Sequence, residues 1–350
     1  MPMIDMPINE LKNYQGTNPR PVDFNEYWDR ALKEMNTVDP KIELIPSNFQ
    51  VGIADCYDMY FTGVRGARIH VKVLMPKSGP APYQTNTSDK DGTADTGSRS
   101  EEAGENADNP PKRNPAILMF HGYSMNAGDW SDKLHYAALG YTVFAMDVRG
   151  QGGQSEDVGG VRGNTLQGHV TRGLDDHADN LFYRQVFLDA AQLAKIVMDR
   201  PDIDENEVVT TGWSQGGGLA LVCAALEPRI KKAAAVYPFL SDYKRVWKLD
   251  LAVEAYQDLR RYFRRFDPQH KRRHEVFTKL GYIDIQHLAP RIKAEVLMGV
   301  GLMDEICPPS SQFAAYNKIA SPKRLELFPD FEHENLPGLD DIILQYFLEK

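Results

Sequence analysis

Four near-continuous apolar runs limit what this chain can fold into: "AILMFHGY" (116–123), "YTVFAMDVRG" (141–150), "EVVTTGWS" (207–214) and "AEVLMGVG" (294–301). Runs this short and this apolar suit strands covered on both faces, as in a parallel sheet held between helices. Helix-like stretches separate them, the longest at 179–200, and another at 339–350 closes the sequence. "RIHVKVLMP" (68–76) alternates and reads as an early antiparallel strand, while "RLELFPDFEH" (324–333) reads as a last strand leading into a loop. This alternation predicts an α/β fold, with a mostly parallel central sheet flanked by helices. At 350 residues, 42% of them hydrophobic, the chain can bury a large core, and 1–350 is expected to form a single domain.

Two stretches break the pattern. Residues 78–114 contain one aromatic residue and no Val, Ile, Leu, Met or Phe. Such a segment cannot bury enough apolar surface to offset its ordering entropy, so it is expected to be a disordered insertion. Residues 240–290 are charged, aromatic and helix-like, and are expected to form a cap-like helical insertion over the sheet. The basic run "RRYFRRFDPQHKRRHE" (260–275) reads as a solvated helix face, since a net charge of −9 argues against a nucleic-acid surface.

The three cysteines, Cys56, Cys223 and Cys307, are widely spaced and form no CxxC pair, so neither a disulfide framework nor a zinc site is expected. Cys223, in "LALVCAAL", reads as a small buried hydrophobe. No leader pattern precedes the first helix and no segment approaches the length of a membrane span, which predicts a cytoplasmic protein with no membrane partner.

The chemistry centres on "VVTTGWSQGGGLALVCAAL" (208–226), which runs from a β-branched stretch through glycines into a helical pattern. Gly212 and Gly216 flank Ser214 at −2 and +2, the spacing of a nucleophile elbow, where small residues permit a tight strand-to-helix turn. A serine capping an ordinary helix would look similar, but the strand before, the helix after and the extra Gly217 and Gly218 favour a nucleophile. In this architecture the acid and then the histidine follow the serine. Of His270, His274, His287 and His333, only His333 lies in a loop just beyond a strand, and Asp304 ends the core strand before it. Asp330 is the competing acid, but it lies too near His333 in sequence to approach from a separate strand end. The backbone N–H groups of Tyr123, after an earlier strand, and of Gln215 are the candidate oxyanion donors. His121, in the same loop as Tyr123, precedes the serine and reads as loop-shaping. "RGQGGQS" (149–155) lacks both the third glycine of a dinucleotide loop and the Lys-Ser/Thr of a P-loop, so it reads as a tight structural turn. Nothing in the pattern calls for a metal.

Arg149-Gly150-Gln151, Gly212-Trp213-Ser214-Gln215-Gly216 and His333-Glu334 together resemble the three signatures of the acetyl xylan esterase / cephalosporin C deacetylase family, and 237–245 and 301–310 also resemble family segments. The likeness covers nearly the whole chain outside 78–114. It implies an α/β-hydrolase that removes acetyl groups from small sugar esters and acetylated antibiotics, needs no cofactor and assembles as a homo-oligomer, a hexamer around an internal chamber. It further implies Ser214, Asp304 and His333 as the triad, Tyr123 and Gln215 as the oxyanion hole, Pro238 and Ile306 as walls of a small acyl pocket, and fold-supporting roles for Arg149 and Glu334. Trp213 stands where a small residue is expected, and the insertion has no family counterpart. A prolyl-oligopeptidase-type peptidase or a general short-chain esterase shares the triad order; such a peptidase is expected to carry a large N-terminal shielding domain, which this sequence lacks.

Overall fold

The structure, a computed structural model, describes residues 4–77, 113–161, 165–251 and 253–349. Nine strands form one sheet: β1 (Glu43–Pro46), β2 (Ala54–Thr62), β3 (Arg68–Pro76), β4 (Asn114–Phe120), β5 (Thr142–Met146), β6 (Ile203–Trp213), β7 (Lys232–Val236), β8 (Glu295–Gly301) and β9 (Lys323–Phe328). Their order is β1-β2-β3-β5-β4-β6-β7-β8-β9. All neighbours from β5 to β9 pair in parallel, and β1, β2 and β3 join antiparallel through the β3/β5 pair. The mostly parallel sheet expected from the apolar runs is present. Most of the stretch expected to be disordered, residues 78–112, lies outside the described residues, and Asn114 already opens β4.

β5 and β7 are buried at every position, as two-faced cover requires. One face carries the helices Phe182–Met198 and Gln215–Leu226, with Trp28 stacked on Phe187 beyond them. The other carries Tyr136 and the closing helix Leu339–Leu348, which buries Ile343, Tyr346 and Phe347. Lys232 of β7 donates from Nζ to the carbonyls of Tyr346 (2.6 Å) and Glu349 (2.7 Å), satisfying acceptors that the end of that helix leaves free. The stretch 240–290 contains the helices Tyr243–Lys248, Gln257–Phe266 and Arg273–Leu280.

Two buried charge clusters brace the loops after β5. Arg149 donates from Nε and Nη2 to Asp189 (2.6 and 2.5 Å) and from Nη2 to the Val64 carbonyl (3.2 Å), with both charged side chains fully enclosed. The fork fixes the "RGQGG" loop to the helix Phe182–Met198, in keeping with a fold-supporting Arg149. Nearby, the His70 ring lies between two carboxylates, Asp147 Oδ2 at 2.7 Å and Asp58 Oδ1 at 2.8 Å. Asp147 also accepts from the backbone N–H groups of Ala127 (2.7 Å) and Gln154 (2.8 Å), so it ties two active-end loops to β3. Gly153 fits only because it lacks a side chain, since a Cβ there would lie 2.1 Å from the Asp147 carboxyl carbon. The loop is a packed turn, as its sequence suggested.

Burial alone would raise the Asp147 pKa, but the hydrogen bonds from His70, Gln154 and Ala127 outweigh it and hold the carboxyl at about 2, below the ordinary aspartate range. A carboxyl whose folded pKa is depressed stabilises the fold above its unfolded pKa, and that contribution is lost as pH falls through the folded value. The stability gap between the wild type and Asp147→Asn, measured by urea unfolding, should therefore narrow by about 1 kcal/mol from pH 5 to pH 3. A gap that stays constant or widens would contradict this reading of the cluster.

Candidate active site

The turn from β6 into the helix Gln215–Leu226 is built from what its glycines leave out. A Cβ on Gly216 would lie 2.0 Å from the Phe120 carbonyl oxygen, and one on Gly212 would lie 2.4 Å from the Gly216 carbonyl carbon. On the other side, Cβ atoms on Gly217 and Gly218 would strike the Val236 and Phe239 carbonyls at 2.7 and 2.5 Å. The elbow is thus wedged between the ends of β4 and β7, with no room for side chains. Ser214 at its tip has φ 55° and ψ −118°, a strained conformation for a residue with a Cβ. The surroundings hold it there: Ser214 N–H donates to Val236 O (3.0 Å), and its carbonyl accepts from Gly218 (2.9 Å) and Phe239 (3.0 Å).

Asp304 follows β8 and His333 follows β9, so both arrive at the carboxyl edge of the sheet beside Ser214. His333 Nδ1 is 2.8 Å from Asp304 Oδ2. Asp304 is fully buried, and its Oδ1 accepts from the N–H groups of Ile306 (2.9 Å) and Cys307 (2.7 Å). Those bonds fix the carboxylate, which in turn orients the imidazole. Asp330 is exposed, whereas Asp304 is the acid that meets the ring. Glu334, also exposed, accepts from the Glu332 N–H (3.2 Å) and tightens the turn carrying His333.

Cys307 was not among the residues expected at the site. Its thiol is fully enclosed close to Ser214, and burial pushes its pKa well above the usual range, so it remains a protonated neighbour. Among the described residues, Asp304, Cys307 and His333 are the one group of three whose donor atoms lie close enough to share a metal ion, within 4.8 Å of one another. Asp304 and His333 already bond to each other, an arrangement that suits an acid–base pair. The position of Cys307 three residues after Asp304 in "MDEICPP" was the only available signal.

The two candidate oxyanion donors are joined by a buried amide network. Gln151 and Gln215 exchange hydrogen bonds (2.9 and 3.0 Å), Tyr183 donates to Gln215 Oε1 (2.7 Å), and Gln215 Nε2 reaches the carbonyls of His121 (3.3 Å) and Gly122 (3.4 Å). Gln151 Oε1 also accepts from the Ser124 N–H (2.9 Å). Tyr123 is thus flanked on both sides by residues tied to this network, and its phenol donates to Asp258 (2.9 Å). His121 accepts at Nε2 from the Val148 N–H (2.9 Å) and approaches the Gly122 carbonyl through Nδ1 (2.7 Å); burial lowers its pKa, as fits a neutral, loop-shaping ring.

Ser214 and His333 open onto a cavity of about 790 Å³, whose walls include Trp213, Tyr237, Tyr136 and Ile343. Pro238 and Ile306, the residues expected to wall an acyl pocket, lie outside this lining. Pro238 is buried beside Phe239, whose N–H bonds Ser214, and Ile306 donates to Asp304.

A serine on a strained strand-to-helix turn, backed by a histidine and an enclosed aspartate at the carboxyl edge of a parallel sheet, defines the α/β-hydrolase class of site. The sequence profile of the family described as acetyl xylan esterase (AXE1) matches residues 1–85 and 106–350, and the chain belongs to this family of carboxylic ester hydrolases. The crystal structure of acetyl xylan esterase 1 from Thermoanaerobacterium sp. JW/SL YS485 is 57% identical, covers 98% of each chain and superposes with a TM-score of 0.87. The acetyl xylan esterase from Paenibacillus sp. R4 is 31% identical over 98% of this chain and 99% of its own, with a TM-score of 0.83. A curated relative, acetyl esterase Axe7A of Xylanibacter ruminicola, is 31% identical over 202 residues; the match covers 57% of this chain and 44% of that protein's length. The stretch between the two matched segments, 86–105, falls within the polar insertion.

Proposed function

We propose that the chain is a serine carboxylesterase that removes O-acetyl groups from small acetylated carbohydrates such as xylo-oligosaccharides, and from cephalosporin C. The observation that carries this reading is the 2.8 Å contact of His333 with the buried Asp304 beside a serine held at φ 55°, in a chain whose relatives are named acetyl esterases. His333 takes the Ser214 proton as the hydroxyl attacks the acetyl carbonyl, and Asp304 holds the ring tautomer and stabilises its charge. The backbone N–H groups of Tyr123 and Gln215 receive the oxyanion. His333 then returns the proton to the departing sugar alcohol, and water frees acetate from the acyl-serine. Side chains, two backbone amides and water carry every step. The enzyme works in the cytoplasm as a homo-oligomer, a hexamer on the family pattern, and the helices of 240–290 cap the site in one hydrolase domain.

Kinetics on acetylated xylo-oligosaccharides, cephalosporin C and an aminoacyl-proline amide, compared side by side, test this. Cleavage of the amide ahead of the acetyl esters would favour the peptidase alternative.

Acyl length gives a second test. In this reading Pro238 and Ile306 wall an acyl pocket sized for a methyl group, and overpacking costs about 1–3 kcal/mol. Acetate esters should therefore be cleaved about ten- to a hundred-fold faster than butyrate esters. Equal rates on acetyl and hexanoyl esters would show a general short-chain esterase instead.

A further inference from the structure

We propose that the cavity beside Ser214 is the subsite for the sugar portion of the ester, with the Trp213 indole as its stacking platform and Asp340 and Asp341 as its hydroxyl acceptors. This inference rests on the esterase reading above.

The side of the serine on which the cavity lies follows from the chemistry. His333 must protonate the departing alcohol, so the alcohol occupies the His333 side of Ser214. The cavity touches both Ser214 and His333. The candidate oxyanion donors Tyr123 and Gln215, and the candidate acyl walls Pro238 and Ile306, lie outside its lining. At about 790 Å³ it is far larger than a methyl group needs and falls in the range of sites that enclose a whole small ligand.

Trp213 is the feature that suits this space to a pyranose ring. The residue before a nucleophile in such an elbow is expected to be small, yet here an indole stands 41% exposed on the cavity wall. It meets Tyr237 edge-on at 6.5 Å, and Tyr237 in turn lies 4.3 Å from the His333 ring, so one aromatic file leads from the base into the cavity. The negative face of an indole attracts the C–H face of a sugar, and an exposed large apolar surface beside a reacting group marks a binding wall.

The lysine and aspartate side chains of the lining divide into two groups. Lys133 is already engaged within its own loop, where Nζ donates to the Asp129 carbonyl (2.7 Å), and Asp132 accepts from the Asp129 N–H (3.1 Å). Asp340 and Asp341, exposed in the first turn of the helix Leu339–Leu348, face the same space and present carboxylate oxygens to ring hydroxyls. An apolar platform facing acceptors at one rim is the chemistry that distinguishes a polyol from a simple alkyl alcohol.

The test compares kcat/KM for acetylated xylotriose with kcat/KM for ethyl acetate, whose alcohol is too short to span the indole. In Trp213→Gly the ratio should fall about tenfold, mainly through KM for the sugar ester. Asp340→Ala combined with Asp341→Ala should lower it about three-fold or more. Wild-type turnover of both esters, with a ratio unchanged in both variants, would overturn the subsite and leave the esterase reading standing. Wild-type turnover of ethyl acetate with none of acetylated xylotriose would overturn both.

Discussion

Ser214→Ala should lower kcat on an acetyl ester by about 10⁶-fold, the loss seen when a serine hydrolase forfeits its nucleophile, while the circular dichroism spectrum stays that of the wild type. The residue contributes little packing: what fixes this turn is the backbone bond from Ser214 N–H to Val236 and the four glycines wedged against carbonyls, and none of these depends on the hydroxyl. His333→Ala should cost about as much, because the three groups act as a unit. Asp304→Asn should cost about 10⁴-fold through loss of the correct tautomer. Asp330→Asn should stay near the wild type, since that carboxylate is exposed and the His333 ring is bonded to Asp304. A reversed result for the two aspartates would overturn the choice of acid.

Gly216→Ala is expected to have the largest effect outside the triad, although it adds a single methyl group. That methyl would sit 2.0 Å from the Phe120 carbonyl oxygen, a backbone atom at the end of β4 that cannot rotate away. To make room, β4 must separate from the elbow, and the loop it feeds carries Tyr123. Overpacking of this kind costs about 1–3 kcal/mol of stability, and displacing one oxyanion donor costs about 10²–10³ in kcat. The variant should therefore fold with a modestly lowered Tm and lose activity far beyond what unfolding explains. Full activity in Gly216→Ala would show that the β4 loop and the elbow are not coupled as the geometry implies.

Legibility in the sequence followed the strength of the local signal. The buried parallel strands β4, β5, β6 and β8 announced themselves because cover on both faces demands unbroken apolar runs. β7 did not. Its "KAAAV" reads as a helical fragment by propensity, yet small residues are needed there because the helix Gln215–Leu226 presses on that strand, with Gly217 against Val236. β1 and β2 were also missed: β1 is an exposed edge, and β2 interrupts its apolar positions with Asp55 and Asp58, the latter bonded to His70. The neighbouring positions of Ser214, Asp304 and His333 could be read because each sits at a strand end in a fixed chain order. The sugar-side cavity could not, since Tyr136, Trp213, His333 and Ile343 meet only once β5, β6 and β9 and the closing helix are in place. Cys307 and the Gln151–Gln215 amide pair stayed hidden for the same reason.

In the proposed mechanism Ser214 carries the acetyl group between the two halves of the reaction. Acid-quenching the enzyme during turnover of 4-nitrophenyl acetate, whose activated leaving group makes deacylation the slower step, and mapping the adduct by peptide mass spectrometry tests it directly. One acetyl group is expected on the peptide containing Ser214, absent in Ser214→Ala. Acetylation of Cys307 or any other residue, with Ser214 unlabelled in an enzyme that is turning over, would contradict it.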